Sequence, residues 1–114
     1  MKQLAHAPEP RFWVYVVELA RKGPGPGESV YVGSSALPPA ERFQRHKEGG
    51  MATSRYVRRQ GTRLRPELYA HLPAGGFLTR PAARLAERVL RAELEASGYN
   101  VYGSCDPRKD SCFF

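Results

Sequence analysis

Two strand-like fragments separated by a rigid turn constrain the fold of this chain more than any other feature. Residues 12–19 are rich in aromatic and β-branched side chains, and residues 29–33 repeat that composition. A Gly-Pro-Gly-Pro-Gly run occupies residues 23–27 between them. Proline fixes φ and glycine permits positive φ, so the pattern predicts a β-hairpin with a stiff loop. Both faces of the first strand are largely apolar, and we expect it to be central and covered on both sides.

The rest of the chain predicts helices packed on this hairpin. A helix is predicted over residues 38–48 between a Pro-Pro start and a Gly-Gly end, followed by a short basic helix over 54–60. A third strand is predicted over 64–72, a long helix over 79–98 and an extended segment over 99–102. The apolar spacing of the long helix predicts its buried stripe as Leu85, Ala86, Val89, Leu90 and Leu94. The predicted fold class is α+β, a small three-stranded antiparallel sheet flanked by helices in the order β-β-α-(α)-β-α.

The length and charge of the chain bound its organisation and its partners. Its 114 residues fit one domain over 11–103, with an N-terminal arm over 1–10 and a tail over 104–114. The sequence has no apolar run as long as a membrane span and no signal-peptide core, so we expect a cytoplasmic protein without a membrane partner. Lys and Arg number 18 against 11 Asp and Glu, and the formal net charge of +7 favours nucleic acid as the partner.

Basic side chains concentrate in two places. One is the helix predicted over 38–48, and the other is the segment that follows it, where Tyr56 stands among the arginines and has a ring suited to stacking on a base. The predicted nucleic-acid-binding residues are Arg45, Lys47, Arg55, Arg58, Arg59 and Arg63. The two cysteines, Cys105 and Cys112, are too few for a four-ligand zinc site, and we expect them to be reduced thiols without an assigned role.

Six side chains in a fixed order suggest chemistry on a phosphodiester. They are Tyr15 and Tyr31 in the two strands, Arg42 and His46 on one helix face, Glu87 in the long helix, and Asn100 after it. A single carboxylate suits one hard divalent cation whose other ligands are water and phosphate oxygens. A guanidinium offers a planar fork for the phosphate. Each residue also has an ordinary structural alternative, such as a core aromatic, a helix cap, or a pair between Glu87 and Arg91.

These motifs resemble those of the GIY-YIG nuclease domain. The two naming motifs correspond to Val14-Tyr15-Val16 and Tyr31-Val32-Gly33, and the helix motif corresponds to Arg42-x-x-x-His46. The resemblance covers residues 11–103 and departs from the family at Val14, where glycine is usual. It implies a DNA endonuclease that depends on Mg²⁺ or Mn²⁺. The roles it implies are Glu87 as the metal ligand and, as catalytic residues, Tyr15, Tyr31, Arg42, His46 and Asn100.

The sequence leaves the general base open among Tyr15, Tyr31 and His46. A free tyrosine has a pKa near 10, and lowering it to about 7 needs roughly 4 kcal/mol, which Arg42 and a bound metal would have to supply. Histidine needs no such shift. The family precedent favours a tyrosine assisted by the histidine.

Two other functions also fit the sequence. One is a nucleic-acid-binding module that keeps the fold without cutting, and the other is a basic domain that binds a protein. DNA is the expected partner with RNA not excluded, and a homodimer or a partner protein is expected to supply specificity. The nuclease interpretation predicts that Tyr15, Tyr31, Arg42, His46 and Glu87 line one concave surface. Coordinates that place Glu87 on the opposite side of the sheet from Tyr15 would end the nuclease interpretation.

Overall fold

Four strands and two helices make up residues 11–48 and 59–103, the part of the chain described by this computed structural model. In chain order they are β1 (Trp13–Leu19), β2 (Ser29–Ser35), α1 (Pro39–Glu48), β3 (Gly61–Leu64), α2 (Arg80–Ala96) and β4 (Asn100–Gly103), with a 3-10 turn over Pro66–Leu68 before α2. The α+β class, the hairpin and both longer helices are as predicted. The arm, the tail with both cysteines, and most of the predicted basic helix lie outside the described residues.

The sheet has four strands in the order β3-β1-β2-β4, so the prediction of three antiparallel strands is wrong. β1 is antiparallel to β2 and to β3, as expected for a hairpin and a returning strand. β4 runs parallel to β2, from Ser29↔Asn100 to Val32↔Gly103. The sequence shows that residues 99–102 are extended but gives no pairing partner. The partner is β2 because α2 returns the chain to the start of that strand.

The third strand is shorter and earlier than the predicted 64–72, because Pro66 ends it. β3 covers Gly61–Leu64, and the next backbone bond to β1 runs from Arg65 N to Val16 O at 2.9 Å. Proline has no N–H to donate and fixes φ, so the chain turns into the Pro66–Leu68 3-10 turn instead of continuing along the sheet.

The sheet separates two apolar clusters, because successive side chains of a strand point to opposite faces. The α2 face consists of strand residues Val14, Val16, Val30 and Val32, packed with Ala83, Leu90 and Leu94 of α2. The α1 face consists of Tyr15, Val17, Leu19 and Tyr31, packed with Phe43 of α1. β1 is therefore central and covered on both sides, as its apolar composition predicts.

α2 begins and ends where the sequence predicts but turns a different face to the core. Thr79 caps it by accepting a 3.2 Å hydrogen bond from Ala82 N, and Gly98, at φ +99°, follows its end. The buried positions are Ala83, Glu87, Leu90 and Leu94. Leu85 and Val89, predicted in the stripe, are 59% and 49% exposed. The core-facing side is thus rotated away from both of them and towards Glu87.

A buried arginine ties the hairpin to the third strand. Arg65 is 8% exposed, and its guanidinium contacts Glu18 at 3.1 Å, Glu28 at 3.2 Å and Glu67 at 2.5 Å. The Glu67 hydrogen bond is the largest of the effects that raise the pKa of Arg65. This arginine is committed to ion pairs and is not part of a nucleic-acid surface. Within the described residues, no helix is long and apolar enough to cross a membrane.

Candidate functional site

Two tyrosines and a glycine form the centre of the candidate site on the α1 face. Tyr15 and Tyr31 are buried, and their ring centroids are 6.2 Å apart. Both rings lie over Gly33, where an added Cβ would stand 2.8 Å from Tyr15 Oη and 2.9 Å from Tyr31 Cε1. Gly33 pairs with Tyr15 across the hairpin. The absent side chain therefore leaves the space that the Tyr15 hydroxyl occupies.

Arg42 of α1 reaches this centre and donates a hydrogen bond to the Tyr15 hydroxyl oxygen. The pKa of Tyr15 is nevertheless raised well above 10, first by burial and then by neighbouring Tyr31, while Arg42 lowers it. Arg42 lowers the pKa of Tyr15 but does not offset the effect of burial. Arg42 alone therefore does not ionise Tyr15, as a general base would require. His46 lies one turn after Arg42 in α1, and its side chain is outside what the structure describes.

Glu87 is a buried carboxylate on the α2 face, with 3% of its surface exposed. Burial is the main cause of its raised pKa, and a hydrogen bond that its carboxylate accepts from Ser34 opposes that rise. Its Oε2 atom is buried and has no hydrogen-bond partner among the described residues. A buried acceptor without a donor is costly unless something else satisfies it. Glu87 Oε2 is therefore suited to bind a cation or to accept a hydrogen bond from another molecule.

Glu87 projects from the helix that packs on the opposite face of the sheet from the two tyrosines, and its carboxylate accepts a hydrogen bond from Ser34 at the end of β2. That the five side chains line one concave surface stays a prediction, because the side chain of His46 lies outside what the structure describes. The Glu87 charge is among the smaller causes of the raised pKa of Tyr15. Within the described chain, β4 covers the outer edge of β2 only over Ser29–Val32.

Three arginines of α2 act on Glu87, and none of them was predicted from the sequence as a site residue, although Arg91 was considered as an ordinary ion-pair partner. Arg91, Arg84 and Arg88 each lower the pKa of Glu87, in that order of effect. The Arg91 guanidinium lies over Gly103, where an added Cβ would meet its atoms at 2.7 Å. The sequence carries a signal for two of them, because Arg84 lies three positions before Glu87 and Arg91 four positions after it, which places both on its helix face. The guanidinium groups near this carboxylate suit an anion such as phosphate.

The donor set around Glu87 fits one hard divalent cation that is mostly ligated by other molecules. Among residues 11–48 and 59–103, no group of three or more His, Cys, Asp or Glu is placed to hold a metal ion. A lone carboxylate oxygen is nevertheless a normal ligand for Mg²⁺, which keeps several waters and takes its other ligands from phosphate. The buried, unsatisfied Oε2 of Glu87 is the atom that fits this role.

Asn100 serves the hairpin loop, not the tyrosine centre. Its side-chain oxygen accepts from Gly25 N at 2.8 Å, and its amide donates to the carbonyls of Gly25 at 3.2 Å and Gly27 at 2.8 Å. These three bonds engage both ends of the amide. A polar side chain committed in this way explains its position without a catalytic role.

Four of the predicted nucleic-acid-binding residues lie in the described chain and are exposed, namely Arg45, Lys47, Arg59 and Arg63. Lys47 Nζ donates to the Gly61 carbonyl at 2.8 Å, and Arg63 pairs with Glu18 at 3.2 Å. An exposed pair of this kind is worth little and leaves Arg63 accessible to a phosphate. The other two predicted residues, Arg55 and Arg58, lie outside the described residues.

Four elements thus bring an aromatic hydroxyl pair, a guanidinium and a buried carboxylate to the end of β2. No protein-family model, curated protein or solved structure matches the chain. The chemistry of these side chains is therefore the basis for assigning a function.

Proposed function

We propose that this chain is a divalent-metal-dependent endonuclease of the GIY-YIG type, which hydrolyses DNA phosphodiester bonds. The observation that carries the proposal is the tyrosine pair Tyr15 and Tyr31, with ring centroids 6.2 Å apart and Arg42 bonded to the Tyr15 hydroxyl, together with the buried, unpartnered Oε2 of Glu87. These residues come from two strands and two helices. A tyrosine with a purely structural role needs apolar packing, but it does not need a guanidinium and a carboxylate near its hydroxyl. The formal charge of +7 supports a nucleic-acid substrate.

In this proposal Arg42 binds the scissile phosphate, because its planar fork matches two phosphate oxygens. Tyr15 holds its proton at neutral pH, since burial raises its pKa. The Tyr15 oxygen accepts a hydrogen bond from Arg42. The Tyr15 O–H then donates to a phosphate oxygen or to the attacking water, and it orients the group to which it donates. Tyr31 and His46 remain the candidates for the base. Arg84, Arg88 and Arg91 attract the neighbouring phosphates.

Glu87 would hold Mg²⁺ or Mn²⁺ through its buried carboxylate. Such a cation, when bound, neutralises developing charge on the phosphate and stabilises the leaving oxygen. The carboxylate must be ionised to bind it, and its raised pKa means that protons compete with the metal at mildly acidic pH. Cleavage is therefore expected to fall as the pH drops towards the pKa of Glu87.

The second candidate function is a nucleic-acid-binding module that does not cut. Two observations favour it: Glu87 belongs to the helix that packs on the opposite face of the sheet from Tyr15, and the raised pKa of Tyr15 leaves that hydroxyl protonated. A module of this kind binds DNA with a strong salt dependence, because phosphate contacts release counterions. It leaves the DNA intact at every metal concentration.

Nicking of supercoiled plasmid with and without Mg²⁺ separates the two functions. We expect nicking that requires the metal and that falls by orders of magnitude in Glu87→Gln, which keeps the side-chain shape while removing the charge. Glu95→Gln is the matched control, since Glu95 is an exposed residue of the same helix. DNA affinity of Glu87→Gln should be kept or increased, because one negative charge beside the phosphates is gone. A Glu87→Gln protein that nicks as fast as the Glu95→Gln control would refute the metal assignment.

A further inference from the structure

An apolar cavity at the start of β1 has no part in the chemistry proposed above. It has a volume of about 220 Å³, and its lining comes from the start of β1, the first residue of α1 and the 66–77 segment. Three aromatic side chains contribute to it, Trp13, Tyr69 and Phe77. We propose that this cavity binds a single unpaired nucleobase by stacking, and the proposal rests on the nuclease or nucleic-acid-binding function.

The indole of Trp13 is fixed in place before any ligand arrives. Its Nε1 donates to the Ala74 carbonyl at 3.2 Å. Its ring also lies against Gly76, where an added Cβ would be 2.9 Å from Cε2, and the φ of +86° at Gly76 favours glycine. A rigid aromatic wall loses little entropy when a second ring stacks on it.

The size and lining of the cavity select a base over other ligands. Drug-sized ligands occupy sites of about 300–1,000 Å³, so this smaller cavity suits one flat ring system. None of its lining residues carries a charge, which excludes a bare phosphate or metal ion as its occupant. Every nucleobase has an apolar face that stacks on aromatic side chains irrespective of sequence.

Two cations belong to the segments next to the cavity lining, and this basic border suits the phosphates that flank a base. Arg42 lies in the first turn of α1, whose first residue, Pro39, lines the cavity. On the other side, the Arg80 guanidinium stands 4.8 Å from the ring centroid of Phe12, and Phe12 pairs through backbone hydrogen bonds with the lining residue Phe77. An apolar ligand without phosphates gains nothing from these charges. A nucleotide uses both the apolar cavity and its basic border.

The position of the cavity links base binding to cleavage. Trp13 precedes Tyr15 by two residues on β1, so the two side chains share a face and their Cα atoms are about 6.7 Å apart. That step is comparable to the length of one nucleotide in an extended strand. A base held beside Trp13 therefore places an adjacent phosphate near Tyr15 and Arg42. The predicted substrate is DNA with an unpaired nucleotide next to the bond that is cut.

Trp13 is the single tryptophan of the chain, so its fluorescence reports on this cavity alone. The probe is a DNA duplex carrying a one-nucleotide bulge, compared with the same duplex in which the bulged residue is abasic. Both are titrated into the protein in the presence of EDTA, which keeps cleavage out of the measurement. We expect quenching with the base and not with the abasic duplex, and an affinity at least about fivefold higher for the base.

Ala70→Leu fills the cavity from an exposed lining position, and Ala92→Leu is the matched control on the exposed side of α2. The first variant should lose the quenching and the preference for the base while keeping the salt-dependent affinity of the abasic duplex. The control should keep all three. Equal quenching and equal affinity for the two duplexes, or an unchanged preference in Ala70→Leu, would overturn the proposal. Failure to nick plasmid with Mg²⁺ would refute the nuclease function and leave the base-binding result standing.

Discussion

The rotation of α2 about its axis decides whether Glu87 is buried, and a pair of Leu→Ala variants tests that rotation. Leu90 is 2% exposed and packs with the valines of the α2 face, whereas Leu85 is 59% exposed. Truncating a buried leucine to alanine typically costs about 2–5 kcal/mol, from lost transfer free energy and the cavity left behind. Full burial of a leucine side chain is worth about 1.5–3 kcal/mol, so Leu85→Ala should cost less than about 1 kcal/mol.

The measurement is urea unfolding of both variants and the parent at neutral pH, followed by far-UV circular dichroism. Leu90→Ala should lower the free energy of unfolding by at least about 2 kcal/mol, a large part of the roughly 5–15 kcal/mol of such a domain. Unchanged slopes would show that the two variants differ in stability and not in compactness. Equal losses in the two variants would mean that Leu85 packs as Leu90 does, and the buried position assigned to Glu87 would be wrong.

Three further predictions concern the site and its supports. Gly33→Ala should fold, because the atoms nearest the added Cβ are side-chain atoms of the two tyrosines. It should abolish plasmid nicking, because the added Cβ displaces the Tyr15 hydroxyl. Full activity of this variant would show that the position of the hydroxyl is irrelevant. Asn100→Ala should lower the free energy of unfolding in urea by about 1–3 kcal/mol, because Gly25 and its neighbours lose their hydrogen-bond partner. Nicking per folded molecule should persist. A stable but inactive variant would support the catalytic role predicted for Asn100. Burial raises the Glu87 pKa, so the folded state binds that proton more tightly and the carboxylate lowers stability as the pH rises from 4.5 through the folded pKa. Glu87→Gln should lose this part of the pH dependence of the melting temperature, and an unchanged profile would contradict the burial.

The hairpin, α1 and the ends of α2 follow from local sequence. Their signals are short-range, such as the composition of β1, proline at a helix start and Gly98 after a helix end. The parallel partner of β4 is not a local property. It depends on where α2 returns the chain, which no pattern within residues 99–103 encodes.

The face of α2 was mispredicted because apolar identity was equated with burial. Leu85 and Val89 are as apolar as Leu90, yet Glu87 takes the position nearer the core. A buried carboxylate breaks the rule that charged residues are exposed, and such exceptions concentrate at functional sites. By the same rule, Arg84 and Arg88 are assigned to an ordinary solvent-exposed helix face. Their relation to the site becomes clear only when Glu87 is known to be buried.

The bonds between Asn100 and the hairpin loop make the order of the loop depend on a residue far along the chain. Gly25 and Asn100 are 75 positions apart. Contacts of such long separation must first overcome the entropy of closing a long loop, and parallel pairing of this kind forms slowly. During synthesis the hairpin strands leave the ribosome well before their loop can be fixed. The loop between β1 and β2 is therefore fixed only after residues 100–103 have been made and have paired with β2.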